Sequence, residues 1–450
     1  MKQDRKGETG KAMPRLEGLK DLVFDVVEEV TNLVERTHLS VSERTTRRFA
    51  PVEPLSTPGS ALQTAHDKTA EGVYGTIRTV NRGVRQALNA AFQVLASESV
   101  ARQMRRTLDP GTPVRSDAAG TWSWLADHGE SALNAFYGDY LHNRNNALDL
   151  GMTLRHQGNI LPVEPKALRR ALPEAGPRIC VFVHGLGCTE WSWSLSAQRF
   201  YGDAAVNFGV LLERDLGITP LYVRYNTGRH ISENGRLLSS LLTRILEAYP
   251  AELTEIILIG HSMGGLVARS AACHGAAGQE PWMSRLSRIF SLGSPNLGAP
   301  LEKAANVVSN LLQVFDTAGT QVPGELLDTR SSGIKDLRFG YTIDEEWADR
   351  DPDRLLENQR CEAPFVDGVA YYFLGATVTR DADHPMGRLL GDLVVRPESA
   401  AGTAFVGRRF PFAMNMVFGG MNHFHLANHP DVYAAIRKCI ENQLPENEIT

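Results

Sequence analysis

Long apolar runs are missing from this chain. No stretch of eighteen apolar residues occurs in its 450, so no segment reads as a membrane-spanning helix. No apolar h-region follows the charged start MKQDRKGETGKAMPRLEG either, which argues against a secretory signal. Cysteine is scarce, with five residues at 180, 188, 273, 361 and 439. The odd number, the wide spacing and the lack of a Cys-x-x-Cys pair argue against a disulfide framework and against a structural zinc site. They point instead to free thiols in a reducing compartment. Strong charge of one sign is also lacking. A formal net charge of −5 supplies no concentrated basic face for a polyanion, so nucleic acid is not an expected partner. The expected location is cytoplasmic, with contact to a membrane surface left open.

What is present fits a folded domain of ordinary size plus an appendage: 42% hydrophobic and 22% charged residues. Residues 1–14 are polar and read as a disordered tail. Residues 15–165 read as an N-terminal helical region. Leu16, Leu19, Leu22, Val23, Val26, Val27, Val30, Leu33 and Val34 recur at intervals of three and four, which makes one apolar stripe. Pro51 to Pro58 interrupts it, and Val73, Ile77, Val80, Val84, Leu88, Phe92 and Leu95 form a second stripe. Two such helices pair with each other, dimerise, cover another domain or rest on lipid; Arg102, Arg105 and Arg106 permit the last. Residues 120–160 read as mostly helical.

The texture changes after Pro173 and Pro177. Short apolar runs at 179–183, 220–225, 255–259, 288–292, 370–374 and 414–418 alternate with helical patterns at 237–246, 265–272 and 432–440. Continuously apolar strands separated by helices indicate a mostly parallel sheet covered on both faces, over about 170–445.

One turn in that region carries chemistry. Ile256-Ile257-Leu258-Ile259 runs into Gly260-His261-Ser262-Met263-Gly264-Gly265, and a helix follows at once. Gly-x-Ser-x-Gly between a buried strand and a helix is the pattern that projects a serine hydroxyl from a tight, strained turn. Its flanking positions, Gly260 and Gly264, must lack side chains. Ser262 is therefore the expected nucleophile. A second strand end, Val181-Phe182-Val183-His184-Gly185-Leu186-Gly187, offers backbone N–H groups for an oxyanion. The expected donors are the N–H groups of Leu186 and Met263, with His184 and Gly185 shaping the loop. Cys188, just beyond, either lines this site or is a small core residue.

An acid and then a histidine must follow the nucleophile in chain order. Asp392, in Gly391-Asp392-Leu393-Val394-Val395, is the expected acid, ahead of Asp367, Asp381, Asp383 and Glu398. The expected base is His423, the first histidine after the strand at 414–418. His425 is the alternative, and His429, directly before Pro430, reads as the start of a helix.

These residues resemble bacterial lipases and esterases of the α/β-hydrolase superfamily, and most nearly the inositol-deacylase-like lipase group. The carriers are VFVHGLG at 181–187, IGHSMGG at 259–265, LGSPNLGAPLE at 292–302, GDLVV at 391–395 and MNHFHLANHPDVY at 421–433. The resemblance spans about residues 175–445 and does not touch the N-terminal 165. It implies the α/β-hydrolase fold, a mostly parallel central sheet flanked by helices. In similar lipases the catalytic histidine precedes a Leu by three positions and an apolar helix residue by nine. His423, Leu426 and Val432 fit that spacing and His425 does not. Ser294 to Pro300 resembles the stretch leading into a lid. The residues that follow, about 300–365, are too many for a plain loop and read as a helical lid over the site, to which Val307, Val308, Leu311, Leu312, Val314 and Phe315 give an apolar face. Tyr225 to His230 should border the same pocket. Some lipases carry calcium near the histidine loop. Asp381 and Asp383 fall short of its six or more oxygen ligands, so no metal and no cofactor is expected.

Hydrolysis of a carboxylic ester with a lipid-like acyl group, through an acyl-serine intermediate, is the expected function. Two alternatives stay open: transfer of the acyl group to another acceptor, and a hydrolase-like domain used only for binding.

Overall fold

The computed structural model describes residues 116–298, 331–348, 364–381, 392, 395, 399 and 414–442. The chain divides into two units, Ser116–Arg144 with Asp149–Thr450, and Met1–Arg115 with Asn145–Leu148. The tail at 1–14, the two amphipathic stripes and the apolar residues expected in a lid, 307–315, lie outside the described residues.

In the larger unit the elements run in the following order. Helix α1 (Ser116–Asn143) precedes strands β1 (Met152–His156) and β2 (Asn159–Ile160), then α2 (Pro165–Ala171) and β3 (Arg178–Val183). Next come α3 (Ala197–Tyr201), α4 (Phe208–Leu216), β4 (Thr219–Tyr225), α5 (Ile231–Ala248), β5 (Glu255–His261), α6 (Met263–Ala277) and β6 (Leu286–Leu292). Helix α7 (Ser332–Phe339), β7 (Ala370–Thr377), β8 (Met414–Gly419) and α8 (Pro430–Ile440) complete the unit.

The strands form one sheet in the order β2-β1-β4-β3-β5-β6-β7-β8. Pairing is parallel from β4 across to β8, and antiparallel only where β1 joins β4 and β2. The alternation of side chains along a strand explains the unbroken apolar runs. Val181, Val183, Ile256 and Leu258 enter one core with Leu241 of α5 and Leu266 of α6. Their neighbours Cys180, Phe182, Ile257 and Ile259 enter the other, with Phe208 of α4 and Val432 and Ile436 of α8.

The N-terminal boundary differs from the expected one. Residues 120–160 are mostly helical, through α1, but β1 and β2 also lie within them and extend the sheet. The unit that holds the sheet begins at Ser116, not near 170. β1 is short and only partly apolar, MTLRH, and an edge hairpin of that kind has too little period-two pattern to declare itself. Helix α1 contributes Ala132 and Ala135 to the first core. Its Ala135 carbonyl accepts from Ser331 Oγ at 2.6 Å, and its Asp139 accepts from the Ser332 amide at 2.9 Å, which fixes the start of α7. Among the described residues no helix is long and apolar enough to cross a membrane.

Candidate active site

Strand β5 ends in a turn that forces Ser262 into a rare backbone conformation. Ser262 has φ 56° and ψ −123°, a region that strains any residue with a Cβ, and it caps α6. Its amide donates to the Leu292 carbonyl at 2.8 Å, so the turn is tied to the end of the neighbouring strand β6. The flanking glycines are required by space. A Cβ at Gly260 would lie 2.3 Å from the Gly265 nitrogen, and one at Gly264 would lie 2.0 Å from the Val183 carbonyl oxygen. Both clashes are with backbone, which cannot move aside cheaply.

The loop after β3 closes over this turn. A Cβ at Gly185 would sit 3.0 Å from the Ser262 Cβ. His184 is buried and braces the loop from behind: its ring stacks on Tyr225 at 4.6 Å, and its carbonyl accepts from the Tyr225 hydroxyl at 2.8 Å. Its Nδ1 lies 2.9 Å from the Gly185 carbonyl oxygen and so carries the proton there. Leu186 and Met263 are both buried. Among the described residues the Leu186 N–H donates to no backbone carbonyl, and Met263, first in its helix, has no carbonyl one turn back to bond. Cys188 is packed inside, its thiol pushed up to about 12 by burial, and behaves as a core residue.

Asp392 and His423 meet on the other side. Asp392 Oδ2 lies 2.7 Å from His423 Nδ1, and the His423 amide donates to the Asp392 carbonyl at 3.1 Å. Oδ1 of Asp392 accepts from the Val395 amide at 2.7 Å. Both side chains are 1% exposed. A carboxylate at Nδ1 fixes the tautomer that leaves Nε2 as the basic nitrogen. Among the described residues that buried Nε2 has no hydrogen-bond partner. Gly293, the residue after Leu292, packs on the same imidazole; a Cβ there would lie 3.1 Å from His423 Cε1. The Ser262 turn and the His423 ring thus share the end of β6.

The competing residues lie elsewhere. The His425 amide donates to Asn422 Oδ1 at 3.0 Å and its ring meets Phe200 edge-on. His429 caps α8 by accepting from the Asp431 amide. Asp367 and Asp381 are exposed, and Asp383 and Glu398 lie outside the described residues.

Reading the sequence missed two buried polar groups. His261 had been only a filler in Gly-x-Ser-x-Gly, yet its Nε2–H donates to the His423 carbonyl at 3.0 Å and steadies the histidine loop. Burial, and then the neighbouring His423, lower its pKa to about 3. Arg224 had been read as part of an apolar strand, yet it is fully buried between Glu190 and Asp127. A lone Arg within TPLYVRY was the available signal, since a buried charge demands a partner.

Residues 222–352 match the model of the PGAP1-like alpha/beta domain. No curated protein matches the chain. Among solved structures, the chain is similar to the mature Bacillus licheniformis lipase BlEst2 at 18% identity, over 59% of this chain and 92% of that one, with a TM-score of 0.38. A lipase-esterase related protein from Clostridium acetobutylicum is 13% identical over 60% and 96%, with a TM-score of 0.33. Phospholipase PlaB from Legionella pneumophila is 16% identical over 59% of this chain and 60% of its own, with a TM-score of 0.38.

Proposed function

We infer that this chain, which has the α/β-hydrolase fold, is a serine hydrolase of carboxylic esters that works through an acyl-Ser262 intermediate. The observation that carries the reading is the strained Ser262 turn beside a buried His423–Asp392 pair. Ser262 Oγ attacks the ester carbonyl carbon while His423 Nε2 takes its proton. Asp392 holds the imidazole in the useful tautomer and stabilises the imidazolium that forms. The carbonyl oxygen becomes an oxyanion facing the N–H groups of Leu186 and Met263, and the start of α6 adds a favourable dipole. Collapse of the tetrahedral intermediate expels the alcohol, which receives the proton from His423. Water then attacks the acyl-serine by the same route in reverse, and Ser262 regains its proton. Catalytic hydrogen bonds often tighten only when substrate is bound, so a His423 Nε2 without a partner among the described residues agrees with its role as base. The apolar residues 307–315 favour lipid-like acyl esters as the substrate class.

A fluorophosphonate should label the wild type at Ser262 and leave Ser262→Ala unlabelled. With p-nitrophenyl esters of graded chain length, Ser262→Ala should lose roughly 10⁶-fold in kcat, and the wild type should prefer longer chains. Folded wild type that takes up no label, or turnover that survives in Ser262→Ala, would overturn the reading.

A further inference from the structure

We propose that α1, the helix that precedes the sheet, positions the oxyanion loop through Ser131 and Asp127. The proposal rests on the serine hydrolase reading above and adds residues to its machinery.

The turn that carries the Leu186 N–H is closed by one bond of its own, from the Cys188 amide to the Gly185 carbonyl at 3.1 Å. Its far end is held by α1, where the buried hydroxyl of Ser131 donates to the Cys188 carbonyl. Two residues on, Glu190 takes one edge of the Arg224 guanidinium, with Nε at 2.6 Å from Oε2 and Nη2 at 2.7 Å from Oε1. The same Nη2 donates to Asp127 Oδ2 of α1 at 2.9 Å. Nη1 lies 2.8 Å from Asp127 Oδ1 but is aimed off the bonding axis. The ion cluster therefore spans from α1, through β4, to the residue that ends the oxyanion loop.

The neighbouring loop after β4 is tied in the same way. Thr227 Oγ1 accepts from the Gly187 amide at 3.2 Å, inside the oxyanion loop. Asn226 Nδ2 donates to the Gly138 carbonyl of α1 at 2.8 Å. A Cβ at Gly228 would come 2.1 Å from the Asn134 carbonyl oxygen of α1. The oxyanion loop beside Ser262 and the loop after β4 are thus locked to each other and to one helix.

Apolar side chains would attach a helix to a sheet at least as strongly as a buried Arg with two carboxylates, because removing those charges from water is costly. Directional bonds instead specify position. An oxyanion donor works only at about 3 Å from the developing charge, and a site whose supporting groups are slack loses rate while keeping affinity. The polar contacts of α1 fall on the loop where that tolerance is tightest.

The test uses the full chain with active sites titrated by fluorophosphonate. Ser131→Ala should lower kcat per titrated site by roughly tenfold, less than the loss of a donor outright, with KM little changed. Inhibition by a trifluoromethyl ketone, which places an oxyanion in the same position, should weaken by a similar factor. Ser131→Thr, which keeps the hydroxyl, should restore most of both. Asp127→Asn should move the same quantities in the same direction. Amide hydrogen exchange at 185–188 should quicken in Ser131→Ala relative to the β5 amides. Unchanged kcat per titrated site and unchanged ketone affinity, whatever happens to thermal stability, would overturn the proposal. If the wild type turns over no ester while exchange at 185–188 still quickens in Ser131→Ala, the function reading falls and the brace remains a feature of the fold. Exchange that does not quicken removes the brace itself.

Discussion

Ser262 and His423 stand in opposite relation to the chain around them. The conformation of Ser262 belongs to one turn, with β5 before it, α6 after it and glycines two positions to either side, and that turn is seated against the Leu292 and Val183 carbonyls. His423 is held by residues that arrive from far away. Its acid lies 31 residues earlier and the ring that holds its carbonyl lies 162 residues earlier. Gly293 of the β6 end packs against its imidazole. The proposed nucleophile thus answers a steric problem at one tight turn, whereas the proposed base is held by an assembly of long-range contacts. A substitution near Ser262 should damage the fold, and one near His423 should damage the chemistry.

The sharpest way to test that contrast is Asp392→Asn. The amide keeps the shape and the bond to Val395 but can hold the wrong imidazole tautomer, which costs on the order of 10⁴-fold in kcat in comparable triads. Thermal stability should fall far less than activity does. His425→Ala, which touches neither Asp392 nor Ser262 among the contacts of this site, should leave kcat within a few-fold. Equal losses from the two variants would reverse the assignment of the base.

The same contrast explains what could be read from the sequence. The strands and the Ser262 turn were legible because their signals are local: continuous apolar runs, and glycines where a side chain cannot fit. The pairing of Asp392 with His423 was reached through chain order and a family resemblance, since spacing alone left Asp367, Asp381, Asp383, Glu398 and His425 open. The β1–β2 hairpin was missed because a strand of five residues paired with an edge strand of two carries almost no periodicity. Arg224 shows the harder limit. Its partners Glu190 and Asp127 lie 34 and 97 residues away, and no local pattern announces which carboxylates a buried Arg will choose.

A pair of glycine variants carries the contrast into stability. Gly264→Ala puts a methyl 2.0 Å from the Val183 carbonyl oxygen, a clash with rigid backbone that should cost about 3 kcal/mol or more. The chain should unfold at markedly lower denaturant concentration or fail to accumulate. Gly293→Ala meets the Leu426 side-chain end at 2.9 Å and the His423 ring at 3.1 Å, with φ +61°. Those neighbours can shift, so the loss of stability should be smaller, near the roughly 1–2 kcal/mol of a left-handed non-glycine residue. The displaced imidazole should make the loss of kcat per folded molecule the larger symptom. If Gly264→Ala is the more stable of the two, the local side of the site is less constrained than its geometry indicates.

A pH dependence of stability links the two sides. His261 belongs to the nucleophile turn but bonds to the base loop, with Nε2–H on the His423 carbonyl. A second proton would have to sit on Nδ1, which is buried and has no partner among the described residues. Burial, followed by the nearby His423, therefore lowers the His261 pKa from an ordinary 6.5 to about 3. Between those two values the unfolded chain binds a proton that the folded chain refuses. Stability must then rise with pH across that window and be lost as pH falls through it, by up to about 1.4 kcal/mol per pH unit. His261→Gln keeps an N–H donor and removes the titration. Urea unfolding between pH 6.5 and 4 should show a shallower acid loss in His261→Gln than in the wild type, even though the variant starts from lower stability at pH 7. Parallel curves would mean that His261 takes up its proton in the fold, and that its ring is not the fixed strut between Ser262 and His423 that its burial implies.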